Sequence, residues 1–457
     1  MSVAARASPP PDRPLAGVYV LCGVEMWERF SYYGMRAFLV LFLISHEGGW
    51  GWSRERAATL YGFYTGLVYL ASLLGGYLAD RFWGTHRAIL VGSALIASGH
   101  FCLAVPSPVA FFVGLGLVVL GTGCHKPNIS TMVGQLFREG NRRRDGAFTI
   151  FFMGINMGAL LGPLVCGTLA ESERFGWHWG FASAGVGMIF GTTLYVFLRP
   201  RYLGDIGRRF AQGDVSRPGS DTSRHAVSHP PLSREEKDRI AAIVILAFFS
   251  VLFFSAFEQA GSSLTFFAKD RTDRLVFGSE IKTSHFQAVN SLAIVLFSPV
   301  FAALWMKLAA RGREPSSSIK FASGLALMAA SFAVMVAAAW ISDRGVRVSP
   351  VWLLATYVLQ TWAELCLSPV GLSLVSKLAP PRFASRLMGF WFVSLALGNL
   401  SAGILAGWVE RIERGEVFRL LGGQADFFLI VLFIALTGAV ALFLLANRIG
   451  RLAHGRA

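Results

Sequence analysis

The sequence predicts an all-α polytopic membrane protein with twelve transmembrane helices arranged as two six-helix bundles. Three observations carry that prediction. Of 457 residues, 54% are hydrophobic and only 15% are charged, whereas a soluble protein carries roughly a quarter charged. Twelve apolar stretches are each long enough to cross about 30 Å of hydrocarbon at about 1.5 Å per residue. One long polar segment, between Arg199 and Arg239, divides them into two equal halves.

The first half holds stretches at residues 16–44, 57–79, 87–105, 109–136, 146–170 and 179–198. The second holds 240–268, 284–306, 317–341, 350–378, 385–408 and 426–447. Residues 1–15 read as a polar tail. It contains four prolines and no short apolar core with a small-residue cleavage site, so the first stretch reads as a span rather than a removable signal. The segment 199–239 is rich in Arg, Ser, Pro and Gly and reads as a flexible linker. Ser233 followed by Glu235, Glu236 and Lys237 reads as a helix start leading into the seventh span. Residues 448–457 form a second polar tail.

The composition excludes other classes. Thirty-eight Phe and 12 Trp would not stay solvated in a disordered chain. The five cysteines, Cys22, Cys102, Cys124, Cys166 and Cys366, are odd in number and lie inside apolar stretches, without a CxxC pair or a metal-ligand spacing. A net charge of +15 could signal nucleic acid on a soluble protein. Here Lys and Arg gather in alternate loops, which places both termini and the linker in the cytoplasm and leaves no reason to invoke nucleic acid.

Charges inside the spans are the functional clue. In the first span, Glu25, Glu28 and Arg29 stand at i, i+3 and i+4, Tyr32 and Tyr33 follow one turn later, and Arg36 stands at i+11. On a helix these residues share one face over roughly 16 Å. A charge facing lipid at mid-membrane costs several kcal/mol, so this stripe must meet a watered cavity or opposite charges on other helices. A static ion-pair cluster is the alternative. The fourth span carries Lys126 beside Pro127, which removes a backbone donor and loosens the helix. The fifth carries Asn156, the seventh Glu258, and the eighth Gln287 and Asn290. In the tenth, Glu364 and Ser368 lie one turn apart next to Pro369, a candidate hinge. The eleventh offers Trp391. His100 and His125 also lie in or near spans, and read as satisfied packing residues sooner than as proton relays.

After the second span, "GYLADRFWGTHR" (Gly76 to Arg87) resembles the G-x-L-A-D-R-x-G-R loop of the major facilitator superfamily. Asp80 ends the span there, where it can pair with a basic residue and hold one conformation. More of the chain resembles the proton-dependent oligopeptide transporter family. "ERFSYYGMRAFLVLF" with its ExxER stretch, "GTGCHKPNIS", "FFMGINMGAL", "FEQAGSSL" and "ELCLSPVGLSLVSKLAP" fall in that family's order and cover most of both halves.

The resemblance implies a major facilitator fold, proton-coupled symport of di- and tripeptides, and no cofactor beyond the coupling proton. High usage of Arg over Lys and the compact linker point to a bacterial inner membrane, and a functional monomer is expected. Glu25, Glu28 and Arg29 match the proton-coupling motif, and Glu258 matches an acid that pairs with Lys126 or Arg36. Arg36 and Lys126 match the positions that bind the peptide carboxylate. Glu364, with Asn156 and Asn290, matches the pole that binds the amino terminus. Tyr32, Tyr33, Tyr69 and Trp391 match pocket walls. Arg54 and Asp270 stand where some members have an outer-gate salt bridge. Phe152, Phe254 and Ser291 depart from the family's usual tyrosine, tryptophan and proline, which bears on side-chain preference. Many bacterial members carry two extra spans between the halves, for which the linker here has no room.

A related transporter of nitrate or another small anion is the nearest alternative. A complete ExxER stretch and an acid suited to an amine favour peptides. An ion channel is more distant, because no repeated pore element is visible. An enzyme would need a nucleophile–base pair or metal-ligand set beside the intramembrane acids, and the sequence offers none.

Overall fold

The structure, a computed structural model, describes residues 14–137, 143–208, 232–380 and 383–454, with the side chains of 143–145, 368–370, 372, 373, 376 and 385 outside the description. The chain begins with α1 (Pro14–Ile44), α2 (Arg54–Leu78), α3 (Gly84–Leu103), α4 (Pro108–Gln135), α5 (Arg143–Ala170) and α6 (Trp177–Tyr202). It continues with α7 (Arg234–Phe257), α8 (Ser263–Asp270), α9 (Ala288–Ala310), α10 (Ser317–Ser342), α11 (Val351–Leu378), α12 (Ala384–Gly407), the short α13 (Val409–Glu413) and α14 (Gln424–Leu452).

Nine helical stretches among the described residues are long and apolar enough to cross a membrane. One of them, Arg54–Leu103, is two spans: a π-helical turn at Ala79–Trp83 joins α2 to α3. Helix α1, at 31 residues, is long enough but carries the charged stripe. Helix α11, at 28 residues, is long enough as well. Apart from a short antiparallel hairpin pairing Leu275–Val276 with Ser279–Glu280, the fold is therefore helical with twelve spans, packed as two six-helix bundles.

Local sequence sets the helix ends. Ser53 accepts a hydrogen bond from the Arg56 amide and starts α2. Ser233 and Glu236 form a reciprocal capping box at the start of α7, so that helix begins before the apolar residues at 240. Helix α6 runs past 198 to Tyr202, and the chain then folds back, the His86 amide donating to the Gly207 carbonyl at 3.0 Å. The ordered bundle thus extends into both ends of the polar segment.

The seventh span is not one helix. It breaks at Glu258–Gly261 into a 3-10 turn before α8. The Gln259 side chain reaches the carbonyls of Ser255 and Ala402 and accepts from Ser263, offering this stretch side-chain partners that compete with the regular ladder.

Within the first bundle α1 packs against α5 and α6. In the second, α10 packs against α14 and α11. The bundles meet chiefly at α2 with α12 and at α5 with α9. Close packing of α1 on α5 depends on Gly158, where an added Cβ would lie 2.1 Å from the Met26 carbonyl oxygen. Small residues let membrane helices approach closely where no hydrophobic force drives them together. Gly158→Ala should therefore cost about 1–3 kcal/mol of packing. A melting temperature of the purified variant equal to that of the parent would refute this.

Candidate functional site

The constraint that charges avoid lipid decides how α1 is turned. Glu25, Glu28, Arg29 and Arg36 are all buried. The Arg29 Nε lies 2.9 Å from Glu25 and 2.5 Å from Glu28, so one guanidinium serves two carboxylates. The ligand atoms of Glu25, Glu28 and His125 also lie within 4.8 Å of one another, a donor group that the sequence reading did not find. The carboxylates already have Arg29 as their cation, which a metal ion would have to displace. Further along the stripe, Arg36 pairs with Glu258 at 2.5 Å across the two bundles. The broken seventh span places Glu258 at its 3-10 turn.

A cavity of about 340 Å³ opens between the bundles, within the range of small-ligand sites. Glu25, Arg29, Arg36 and Lys126 line one side, and Glu258, Asn290 and Glu364 the other. Lys126 has no carboxylate within ion-pair reach among the described residues; its ammonium sits 4.8 Å from the Tyr69 ring centroid. Opposite, Asn290 donates to Glu364 at 3.1 Å and to Thr361 at 3.0 Å. The cavity therefore has a cationic pole on the first bundle and an anionic pole on the second. That arrangement suits a short zwitterion.

Several expected residues fall into place differently. Tyr33, Tyr69 and Asn156 line the cavity, and Asn156 donates to the Phe152 carbonyl. Tyr32 does not line it. Its ring lies 5.5 Å from the Arg29 guanidinium and stacks on Tyr64, so it lids the buried ion cluster. Trp391 is not a wall either. It packs inside the second bundle's core, against Gly371, because the α12 face bearing it turns toward α11. The Ser368 side chain lies outside the described residues. Asp80 is exposed and makes no ion pair with a described residue, so the lock suggested for it is not formed here. Phe152, Phe254 and Ser291 all line the cavity.

Sequence reading missed three contributors. Gln360 lines the cavity with both amide atoms buried and without a partner. It stands one turn before Glu364, and that spacing was the available signal. Tyr357, one turn further back, also lines the cavity and donates to the Ala260 carbonyl. Tyr61 lies 5.5 Å from the Arg36 guanidinium.

The face remote from the linker is closed by contacts between the bundles. Arg54 on α2 donates to Asp270 at the end of α8 at 2.8 Å and lies 3.7 Å from Glu410. A second closure was not legible in the sequence. The Glu171 carboxylate, just past α5, accepts from the Thr283 and Ser284 amides at 2.9 and 2.8 Å, and Thr168 bonds His285 at 2.8 Å. An added Cβ at Gly167 would lie 1.9 Å from the Ser284 hydroxyl.

A family model described as the POT family matches residues 86–205 and 225–420. The chain belongs to the POT family. It is 38% identical over 453 residues to the peptide transporter YePEPT of Yersinia enterocolitica, covering 87% of this chain and 88% of that protein. It is 33% identical over 437 residues to a di-/tripeptide transporter of Lactococcus lactis, covering 83% and 86%. A crystal structure of a peptide transporter POT in complex with sulfate matches with a TM-score of 0.85 at 35% identity, over 99% of this chain and 98% of that one. A mutant of a peptide transporter POT in complex with alafosfalin matches with a TM-score of 0.85 at 35% identity, over 95% of each. Members of this family are transporters, so an enzymatic role is set aside.

The second closure of this POT-family chain is testable. Removing a carboxylate that accepts two amide hydrogens costs about 1.5–3 kcal/mol. Glu171→Ala should therefore raise the fraction open on this face roughly tenfold or more. Spin labels at Arg174 and Ser279, both exposed, report it as a longer-distance population. An unchanged distance distribution would rule the latch out.

Proposed function

We propose that this protein is a proton-coupled symporter of di- and tripeptides that works by alternating access. The observation that carries the reading is the two-pole cavity. Lys126, with no carboxylate partner among the described residues, stands on one bundle, and a Glu364 held by Asn290 stands on the other. A short peptide has a carboxylate and an ammonium at its two ends whatever its side chains. Lys126 and Arg36 take the carboxylate, and Glu364 takes the amine. Tyr33 and Tyr69 give apolar contact that tolerates varied side chains. A longer peptide would hold its ends too far apart for both poles.

Coupling follows from competition for cations. The substrate carboxylate draws on Arg36, which otherwise neutralises Glu258. The released acid, unpaired in a low-dielectric site, favours its protonated form. The cluster at Glu25 and Glu28 holds two acids around one guanidinium and so has room for a proton. Proton and peptide enter together, and loss of the proton restores the ion pairs that expel the peptide. No cofactor is required.

The moving bodies are residues 16–198 and 240–447, tethered by 199–239. The protein acts as a monomer in a bacterial inner membrane, with both termini and the linker on the cytoplasmic side, where Lys and Arg concentrate. Relatives named as peptide transporters, and a relative's complex with alafosfalin, support a peptide substrate over nitrate.

Uptake into proteoliposomes tests this reading. An inward proton gradient should drive accumulation of dipeptide but not of nitrate or free amino acids, and accumulation of nitrate instead would select the rival. Glu28→Gln should abolish accumulation driven by the pH gradient. A variant that still concentrates dipeptide would remove Glu28 from the coupling step. Glu364→Ala should weaken competition by free dipeptides roughly ten- to a hundredfold and leave N-acetylated dipeptides almost unaffected. Equal losses for both would contradict the assigned polarity.

A further inference from the structure

His125 stands one residue before Lys126 on α4, but the two side chains serve different places. Lys126 reaches the cavity, and His125 does not line it. The imidazole is completely buried, and neither ring nitrogen has a hydrogen-bond partner. Its Nδ1 faces Glu25 Oε2 at 4.0 Å, and that oxygen is also buried without a hydrogen-bond partner. Two unsatisfied polar atoms facing each other in a dry site are expensive, and a hydrogen bond between them needs an approach of only about 1 Å. His100, the other buried histidine, differs: it has no carboxylate within ion-pair reach among the described residues. That contrast separates packing from chemistry.

The charged groups facing His125 are Glu25, Glu28 and Arg29 from α1. On its own helix the nearest is Lys126, directed toward Tyr69. Helix α3 presents Gly92 against the His125 backbone and Cβ, and helix α2 presents Gly75 against Gly123 and Cys124. The local balance is then two carboxylates against one guanidinium. We propose that His125 is a second seat for the coupling proton, paired with Glu25. This rests on the symport reading above. When a proton arrives, His125 becomes the imidazolium and pairs with Glu25, and Arg29 remains with Glu28. Two ion pairs then replace one guanidinium shared between two acids. When the proton leaves toward the linker side, the shared arrangement returns. The Arg29–Glu25 contact is given up for the His125–Glu25 pair, and no covalent bond changes apart from the N–H formed on the imidazole.

A histidine seat adds to the cluster's hold on the proton. His125→Gln keeps a hydrogen-bonding side chain beside Glu25 but removes that seat, so more acid is needed to load the site. The midpoint of the pH dependence of dipeptide uptake should move to lower pH by about one unit, a tenfold loss of proton affinity. A midpoint and slope identical to the parent's would overturn the proposal. The parent protein gives a second readout that no variant's folding can spoil. Exchange of the imidazole C2 hydrogen with deuterium, followed by mass spectrometry on the His125 peptide, should titrate over the same pH range as dipeptide uptake. A flat profile would overturn the proposal. Dipeptide exchange by the parent protein, without a gradient, tests the symport reading separately: its absence would sink that reading and leave the histidine titration standing on its own.

Discussion

A charge cannot face hydrocarbon, and that single constraint organises this molecule. Helix α1 carries two acids and two bases on one face. Had it been turned by half a revolution, each would have cost several kcal/mol against lipid. Instead the stripe points inward, and every other element of the site is arranged to meet it. Arg29 is spent on its own helix, between Glu25 and Glu28. Arg36 is spent on the opposite bundle, at Glu258. Lys126, on α4, has no carboxylate partner among the described residues and stands over an aromatic ring. The cavity's polarity is the remainder of that assignment.

Much of this was legible in the chain itself. Twelve spans, their order and the burial of the α1 stripe follow from apolar length and helical spacing. The poles of the cavity follow from which spans carry a charge. What sequence could not supply was the direction of a side chain whose helix is amphipathic in no clear way. Trp391 sits among apolar neighbours on every side of α12, so nothing in the pattern said that it would pack on Gly371 rather than in the cavity. Gln360 stands one turn before Glu364 on the same face, so its place in the cavity was legible from helical spacing alone. Which cation pairs with which acid depends on distances between helices far apart in the chain, and periodicity within one helix carries no such information.

The closure of the remote face shows the same division between local and distant information. Ser233 and Glu236 form a capping box within four residues, and sequence reads it. Glu171 performs a similar service for amides more than a hundred residues away, and only the fold brings them together. A carboxylate that caps backbone amides across two bodies is a contact with two defined states, made or broken. Arg54 with Asp270 is another. Such contacts suit a gate better than apolar packing would, because water can replace a lost hydrogen bond on an opened face.

The break in the seventh span joins gate to cavity. Glu258 occupies the first position of the 3-10 turn, and α8, which starts two residues beyond that turn's Gly261, ends at Asp270, the partner of Arg54. Tyr61 touches both regions, since its hydroxyl lies against Gly261 and its ring against Arg36. In the proposed mechanism, an anion that draws Arg36 away from Glu258 acts on the joint from which α8 extends. The displacement it needs is small, because the turn already lacks the regular helical ladder that would resist bending. A ligand shifts a conformational equilibrium only through contacts that differ between the two states. Here the differing contact is the Arg36–Glu258 pair, placed where a helix has already been broken.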